Sequence, residues 1–331
     1  MTPQDGLRSY KHGSCLVVGI ATIDVINTIP EFPAEDSKIR VTSSRRSRGG
    51  NGTNVLVVCA QIGAFQALHW VGTLVDPLVN ADSKFICDEL SGHYGISLES
   101  CELVNAGSMP TSYIMSSDAT GSRTIFHHRN LPELSVAHFA SQLPLWQGQI
   151  SWAHFECRDT TATSAMLGLA RPVIPVLSLE VEGPRHAWAS VKSMLHLVDY
   201  VFISQVYVTS LGFTDAIAFL NSLLDDGTVP QKGGRDPDGV RLKAIVCPWG
   251  ATGAFVRHGL AHTSNWAVSH VPVEPVAAVV DSVGAGDSFV AATISAIHTG
   301  MPILDAVAFG CRVGRRKCMQ VGLEFDPDAF T

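Results

Sequence analysis

Short, unbroken apolar runs recur along the chain, each ending in small or polar residues. The first covers residues 15–20, and others lie at 150–158, 175–182, 199–204 and 242–250. An apolar run this short, without alternation, suits a parallel strand buried on both faces. Segments long enough for helices separate the runs, so the order predicts an α/β fold with a central, mostly parallel sheet covered on both sides. Two stretches break this rhythm. Residues 37–44 alternate polar and apolar positions, as a strand with one covered face does. Residues 111–127 read as a β-hairpin turning at Asp118-Ala119-Thr120-Gly121. Strand patterns that interrupt an α/β chain at separate points imply one small sheet built from insertions, so residues 14–322 are expected to form a single domain. Residues 1–13 read as a loose leader. Residues 225–243, rich in glycine, proline and charge, read as a surface loop. The last helical stretch is expected at 301–320, with Arg312, Arg315, Arg316 and Lys317 solvating its exposed face.

Chemistry concentrates in Asp281-Ser282-Val283-Gly284-Ala285-Gly286-Asp287-Ser288-Phe289, which leads into an apolar, helix-length run. Gly284 and Gly286 permit backbone conformations closed to other residues and keep side chains away from the turn. Unpaired amides and the helix dipole would then favour an anion above it. Asp287, at the same helix terminus, is expected to stay ionised and to act as a general base for a hydroxyl, while the amides stabilise a phosphoryl group in transfer. The plainer alternative is that Asp281 or Ser282 caps the helix over an ordinary glycine turn.

A second glycine-rich stretch, Arg48-Gly49-Gly50-Asn51-Gly52-Thr53-Asn54, opens a predicted helix whose apolar part is continuous. Asn51 and Asn54 are three apart and can face one side, offering a polyhydroxylated ligand both donors and acceptors; either could instead be only an N-cap. Asp24 follows the first apolar run, just past a strand end, where open α/β sheets bind ligands.

These two glycine motifs resemble the C-terminal and N-terminal motifs of the ribokinase-like (PfkB) sugar kinases, and the resemblance extends from about residue 15 to about residue 322. It implies a three-layer α/β/α sandwich with a small β-sheet lid projecting at about 37–44 and 111–127. In it, Gly284, Ala285 and Gly286 would form the anion hole, Asp287 would be the base, and Asp24, Gly50, Asn51, Asn54 and Asp287 would contact the sugar. Arg123, on the hairpin, would reach the phosphate side when the lid closes. Trp249, Gly250, Thr252 and Gly253, with Gly284 and Gly286, would flank the nucleotide. Several further pieces, including residues 121–125 and 180–185, resemble the branch that phosphorylates the 1-hydroxyl of fructose. The resemblance also implies ATP and Mg²⁺, allows a monovalent cation such as K⁺, and implies a homodimer paired through the lid sheet. It departs at Ser204-Gln205-Val206-Tyr207, where many of these enzymes carry an asparagine and a glutamate that organise the metal. Glu156, Glu180 and Glu182 are the candidates to replace the second residue of that pair, unranked by sequence.

Composition narrows the partners. A net charge of −7 over 331 residues, with only short basic clusters, argues against nucleic acid. The eight cysteines show no paired metal-ligand spacing and read as reduced core residues. Neither a signal-peptide pattern nor a membrane-length apolar run is present, so a cytoplasmic enzyme without membrane partners is expected. A dinucleotide oxidoreductase would need a Gly-x-Gly-x-x-Gly after the first strand, which is missing. A noncatalytic sugar-binding protein could dispense with Asp287 and its turn.

Overall fold

The computed structural model describes residues 13–120, 122–225, 242–259 and 266–330. The leader at 1–13 and the loop at 225–243 therefore fall almost wholly outside the described residues. The strands are β1 (Ser14–Val18), β2 (Thr22–Ile29), β3 (Ser43–Gly49), β4 (Leu68–Val71), β5 (Thr73–Val75), β6 (Glu102–Val104) and β7 (Thr111–Ser117). After them come β8 (Arg123–His128), β9 (Ile150–Glu156), β10 (Val176–Val181), β11 (Tyr200–Ile203), β12 (Ala244–Pro248), β13 (Ala254–Gly259) and β14 (Trp266–Val271). Three helices shape the site: α1 (Asn51–Ile62), α2 (Ala285–His298) and α3 (Ile303–Cys318).

Eight strands form the central sheet in the order β14-β13-β12-β11-β10-β9-β1-β4. It is parallel from β4 to β12, while β13 and β14 add antiparallel at one edge. Successive strand residues face opposite cores. Cys15 and Val17 pack with α1, α2 and α3 on one face; Leu16 and Val18 pack with Phe139, Leu167 and Phe219 on the other. Burial on both faces is why these strands read as continuous apolar runs. The result is the α/β three-layer sandwich with a projecting lid.

The lid is a four-stranded sheet, β3-β2-β7-β8. Three of its details correct the sequence reading. The strand expected at 37–44 runs instead over Ser43–Gly49. The reason is its partner: Thr28↔Ser43 is the last register pair, and Pro30 and Pro33 then carry the chain away, so residues 37–41 have no strand beside them. Asp24 lies not in a loop but within β2, which is itself a lid strand. Finally, the lid is mixed, because β2 and β7 are parallel while the outer pairs are antiparallel.

Lys317 requires a further correction. Far from solvating an exposed face, it is fully buried. Its Nζ donates to the backbone oxygens of Asp281 (2.9 Å) and Gln320 (3.2 Å) and lies 3.2 Å from Asp281 Oδ2. A helix packed against α2 buries even a charged stem when the neighbouring turn supplies oxygens for the ammonium.

Candidate active site

The C-terminal ends of β1, β9, β10, β11 and β12 open into a cleft of about 490 Å³ that the lid overhangs. Ligands gather at this edge of open α/β sheets. Asp24, Gly50, Asn51, Asn54, Arg123 and Asp287 all line it, although they come from the lid, from α1 and from α2.

At the phosphate turn, Gly284 has φ 82° and precedes α2 with no side-chain cap. A Cβ there would strain the backbone and lie 2.9 Å from Leu323 Cδ2. Above Gly286 the space is open, since a Cβ would meet nothing within 4 Å. The first helical bond runs from Ser288 N to Gly284 O (2.9 Å), whereas the Ala285 amide turns back to Ser282 O (3.3 Å). The amides available to an anion are thus those of Gly286 and Asp287, which have no backbone acceptor among the described residues. Ala285, expected in the anion hole with Gly284 and Gly286, has its amide engaged within the turn. Asp281 does not cap α2; its Oδ1 accepts from Val283 N (2.9 Å) and holds the approach to the turn.

Asp287 is buried, and Asn54 Nδ2 donates to its Oδ2 at 2.6 Å. Burial pushes this carboxyl well above the ordinary aspartate range and nearby Glu180 adds to the push, while the Asn54 bond opposes both. Desolvation therefore works against the ionised form that the helix terminus on its own would favour. Asp24 is also buried and also raised by burial, against bonds from Thr22 and Ser112 and the charges of Arg48 and Arg45. Thr22 Oγ1 reaches Asp24 Oδ1 at 2.8 Å. Gly49 is required beside it, because a Cβ there would sit 2.1 Å from Asp24 Oδ2. Gly50, with φ 101°, is the N-cap of α1, so neither asparagine serves as a cap.

Lid and phosphate turn are tied together. Arg123 Nη1 donates to Ser282 Oγ (2.5 Å), and Arg45 Nη2 meets Asp281 Oδ2 at 3.0 Å. Ser112 and Ile114 of β7 line the cleft, while Tyr113 faces away and is exposed.

The three glutamates separate clearly. Glu156 is occupied, taking the amides of Ile20 (2.9 Å) and Gly52 (2.5 Å); burial pushes it up to about 7. Glu182 is half exposed, 3.7 Å from Arg185. Glu180 lines the cleft with its Oε2 buried and without a hydrogen-bond partner, and burial followed by the Glu182 charge raises its carboxyl. Its Oε2 faces His154 Nε2 at 3.7 Å, and burial drives that imidazole down to about 4, so it is neutral. Among the described residues, no group of three or more His, Cys, Asp or Glu is placed to hold a metal by itself.

On the nucleotide side, the cleft reaches Phe202, Val206 and Pro248, but Trp249, Gly250, Thr252 and Gly253 do not line it. The chain doubles back there, with Trp249 N bonded to Gly253 O (2.7 Å) in a short 3₁₀ turn. Gly253, at φ 100°, packs under Val271 O, where a Cβ would come within 2.1 Å; this explains its identity without a ligand. Sequence reasoning missed Arg158, Arg185 and His127 on the cleft wall. They come from three separate elements, and no local motif announces them.

Comparisons with known proteins bear on the fold and its family. The pattern of the pfkB family carbohydrate kinases matches residues 214–328. Ketohexokinase of Mus musculus is 29% identical over 324 residues, covering 93% of this chain and 97% of its own. The ribokinase of Arabidopsis thaliana, solved with ribose and ATP, superposes with a TM-score of 0.72 at 17% identity, covering 96% of this chain and 97% of that one. The ribokinase of Giardia lamblia superposes with a TM-score of 0.74 at 13% identity, covering 96% and 95%. The fold is that of the ribokinase-like kinases, and the partial match to the pfkB family pattern supports ATP-dependent phosphotransferase activity. No helix among the described residues is long and apolar enough to cross a membrane.

Proposed function

We propose that the protein uses ATP to phosphorylate a hydroxyl of a small sugar, with Asp287 taking the hydroxyl proton. The observation that carries this reading is the placement of Asp287. It stands at the start of α2, beside the open amides of Gly286 and itself, and across one cleft from Asp24 of the lid. Asp24, Asn51 and the Gly50 backbone bind the sugar, and Asp287 orients and deprotonates the acceptor hydroxyl. The amides and Arg123 stabilise charge on the phosphoryl group as it passes. ATP lies along the wall from Ser204 and Val206 to Pro248, with the 249–253 turn as its outer boundary. Glu180, whose unpartnered Oε2 suits a cation or its waters, would hold Mg²⁺ with Glu182. The ion offsets phosphate charge when bound. Tyr113 and Phe126 are register partners exposed on the outer lid face, which supports pairing of two copies through the lid.

For the sugar itself, the broader reading of ribose or another small sugar draws on the several ribokinases that share the fold. The narrower reading, transfer to the 1-hydroxyl of D-fructose, draws on the ketohexokinase relative. ADP release against ribose, a panel of ketoses and nucleosides, with NMR location of the phosphate on the best product, separates them. Preference for ribose phosphorylated at its 5-hydroxyl assigns the first, and preference for fructose phosphorylated at its 1-hydroxyl the second. Turnover of no sugar overturns the kinase reading.

A further inference from the structure

Asn54 was expected among the sugar ligands, yet both ends of its amide are engaged within the protein. Arg48, at the end of β3, is buried. Its Nε reaches Glu89 Oε1 at 3.0 Å, and its Nη1 donates to Thr53 Oγ1 and Asn54 Oδ1, each at 2.8 Å. Glu89 belongs to a turn of π-helix, Asp88–His93, packed beside the site. Thr53 Oγ1 passes its own proton to Gly49 O at 2.9 Å. A guanidinium has donors and no acceptor, so the amide can meet Arg48 only through Oδ1. The Asn54 N–H is then necessarily the end that meets Asp287 Oδ2.

We infer that Arg48 is a positioning residue for the phosphoryl transfer: anchored by Glu89, it fixes the Asn54 amide so that an N–H faces Asp287 Oδ2 and Oδ1 is left for the acceptor hydroxyl. This rests on the kinase reading above and adds a chain of four side chains, Glu89, Arg48, Asn54 and Asp287, that ends on the carboxylate meeting the acceptor hydroxyl. The chemical consequence lies in which form of Asp287 the amide selects. An N–H donor favours the carboxylate, the form that can accept a proton. With Arg48 removed, the amide is free to rotate by half a turn and present its oxygen, which favours the protonated carboxyl and silences the base at neutral pH.

The test compares kcat against pH for the wild type, Arg48→Met and Arg48→Lys. In Arg48→Met, the acidic limb is expected to move up by about one pH unit, which is about a tenfold loss of kcat at pH values below the limb, with KM for ATP changed less than about twofold. Lysine is also a pure donor and should restore part of the shift. A purely structural role would lower yield and Tm while leaving the limb in place, and an unmoved limb overturns the inference. If Arg48→Met does not fold, Glu89→Gln, which loosens the anchor, should move the limb in the same direction, and no movement there is equally fatal. Infrared difference spectra between each background and its Asp287→Asn counterpart follow the Asp287 carboxyl without turnover. Its protonated band should persist to higher pH when Arg48 is replaced. A wild type that turns over no sugar would therefore sink the kinase reading, while the infrared titration still decides this one.

Discussion

Replacing Lys317 with methionine tests whether its ammonium is structural. The substitution keeps the apolar stem and removes three contacts: the Asp281 oxygen at 2.9 Å, the Gln320 oxygen at 3.2 Å and Asp281 Oδ2 at 3.2 Å. Breaking a buried pair from one side costs about 3–5 kcal/mol, because the other charge is left without compensation. Asp281 keeps the Val283 amide and Arg45, although that arginine is more than one-third exposed and screened by solvent. Relief from burying the ammonium offsets more of the loss; burial already drives Lys317 below the ordinary lysine range, against the pull of Asp281. A net loss of about 2.5 kcal/mol follows, somewhat below the range for a fully uncompensated broken pair. With an m-value of about 3 kcal/mol/M, the urea midpoint should fall by about 0.8 M. Adding Asp281→Asn should cost less in the Lys317→Met background than alone, with a coupling of about 1–2 kcal/mol. A midpoint within about 0.2 M of wild type would mean that the ammonium reaches water in solution, and the buried anchor beneath the phosphate turn would be wrong.

Asp287→Asn should lower kcat by about 10²–10⁴-fold while calorimetry still detects sugar binding, because the amide keeps the shape but cannot take the proton; near-normal turnover would require another base. Arg123→Ala should depress kcat more than sugar affinity, since its charge acts as the phosphoryl group moves, and a pure affinity loss would place it in ordinary binding instead. Glu156, raised to about 7 by burial, keeps its proton in the folded chain over a range where the unfolded chain has lost it, so its contribution to stability declines as pH rises from about 4.5 through about 7. Urea midpoints of the ligand-free protein at pH 5 and pH 8 should show that decline, and Glu156→Gln should flatten it; an unchanged slope would show that the two amides keep Glu156 ionised.

The glycine turn leading into α2 was legible because its parts are contiguous: two glycines, an aspartate and a helix-forming run within one stretch. The central strands were legible because burial on both faces writes itself as unbroken apolarity. β3 was not, since Ser43–Gly49 is a polar, arginine-rich segment held by pairing with β2, and only the tertiary partner decides where such a strand begins. Lys317 and Arg48 were misjudged or passed over for a related reason. A buried cation differs from a solvated one only in the oxygens brought to it, here from Asp281 and Gln320 or from Glu89 and Asn54. Glu156, Glu180 and Glu182 could be named as a set, but ranking them needed the two backbone amides that occupy Glu156 and the lack of a hydrogen-bond partner at the buried Glu180 Oε2.

Asp24 sits on a strand of the lid, whereas Asp287 and its turn belong to the body. On the roles proposed above, the lid would share in reading the sugar through Asp24, with Gly50 and Asn51 of the body beside it, while the transfer chemistry would lie in the body alone; the two parts join at the Arg45–Asp281 and Arg123–Ser282 contacts. A change of residue along β2 or β7 can retune which hydroxyls are read without touching the machinery that moves phosphate. The body is in effect a fixed engine, and the lid an interchangeable die; grafting lid strands between relatives should carry sugar preference with them.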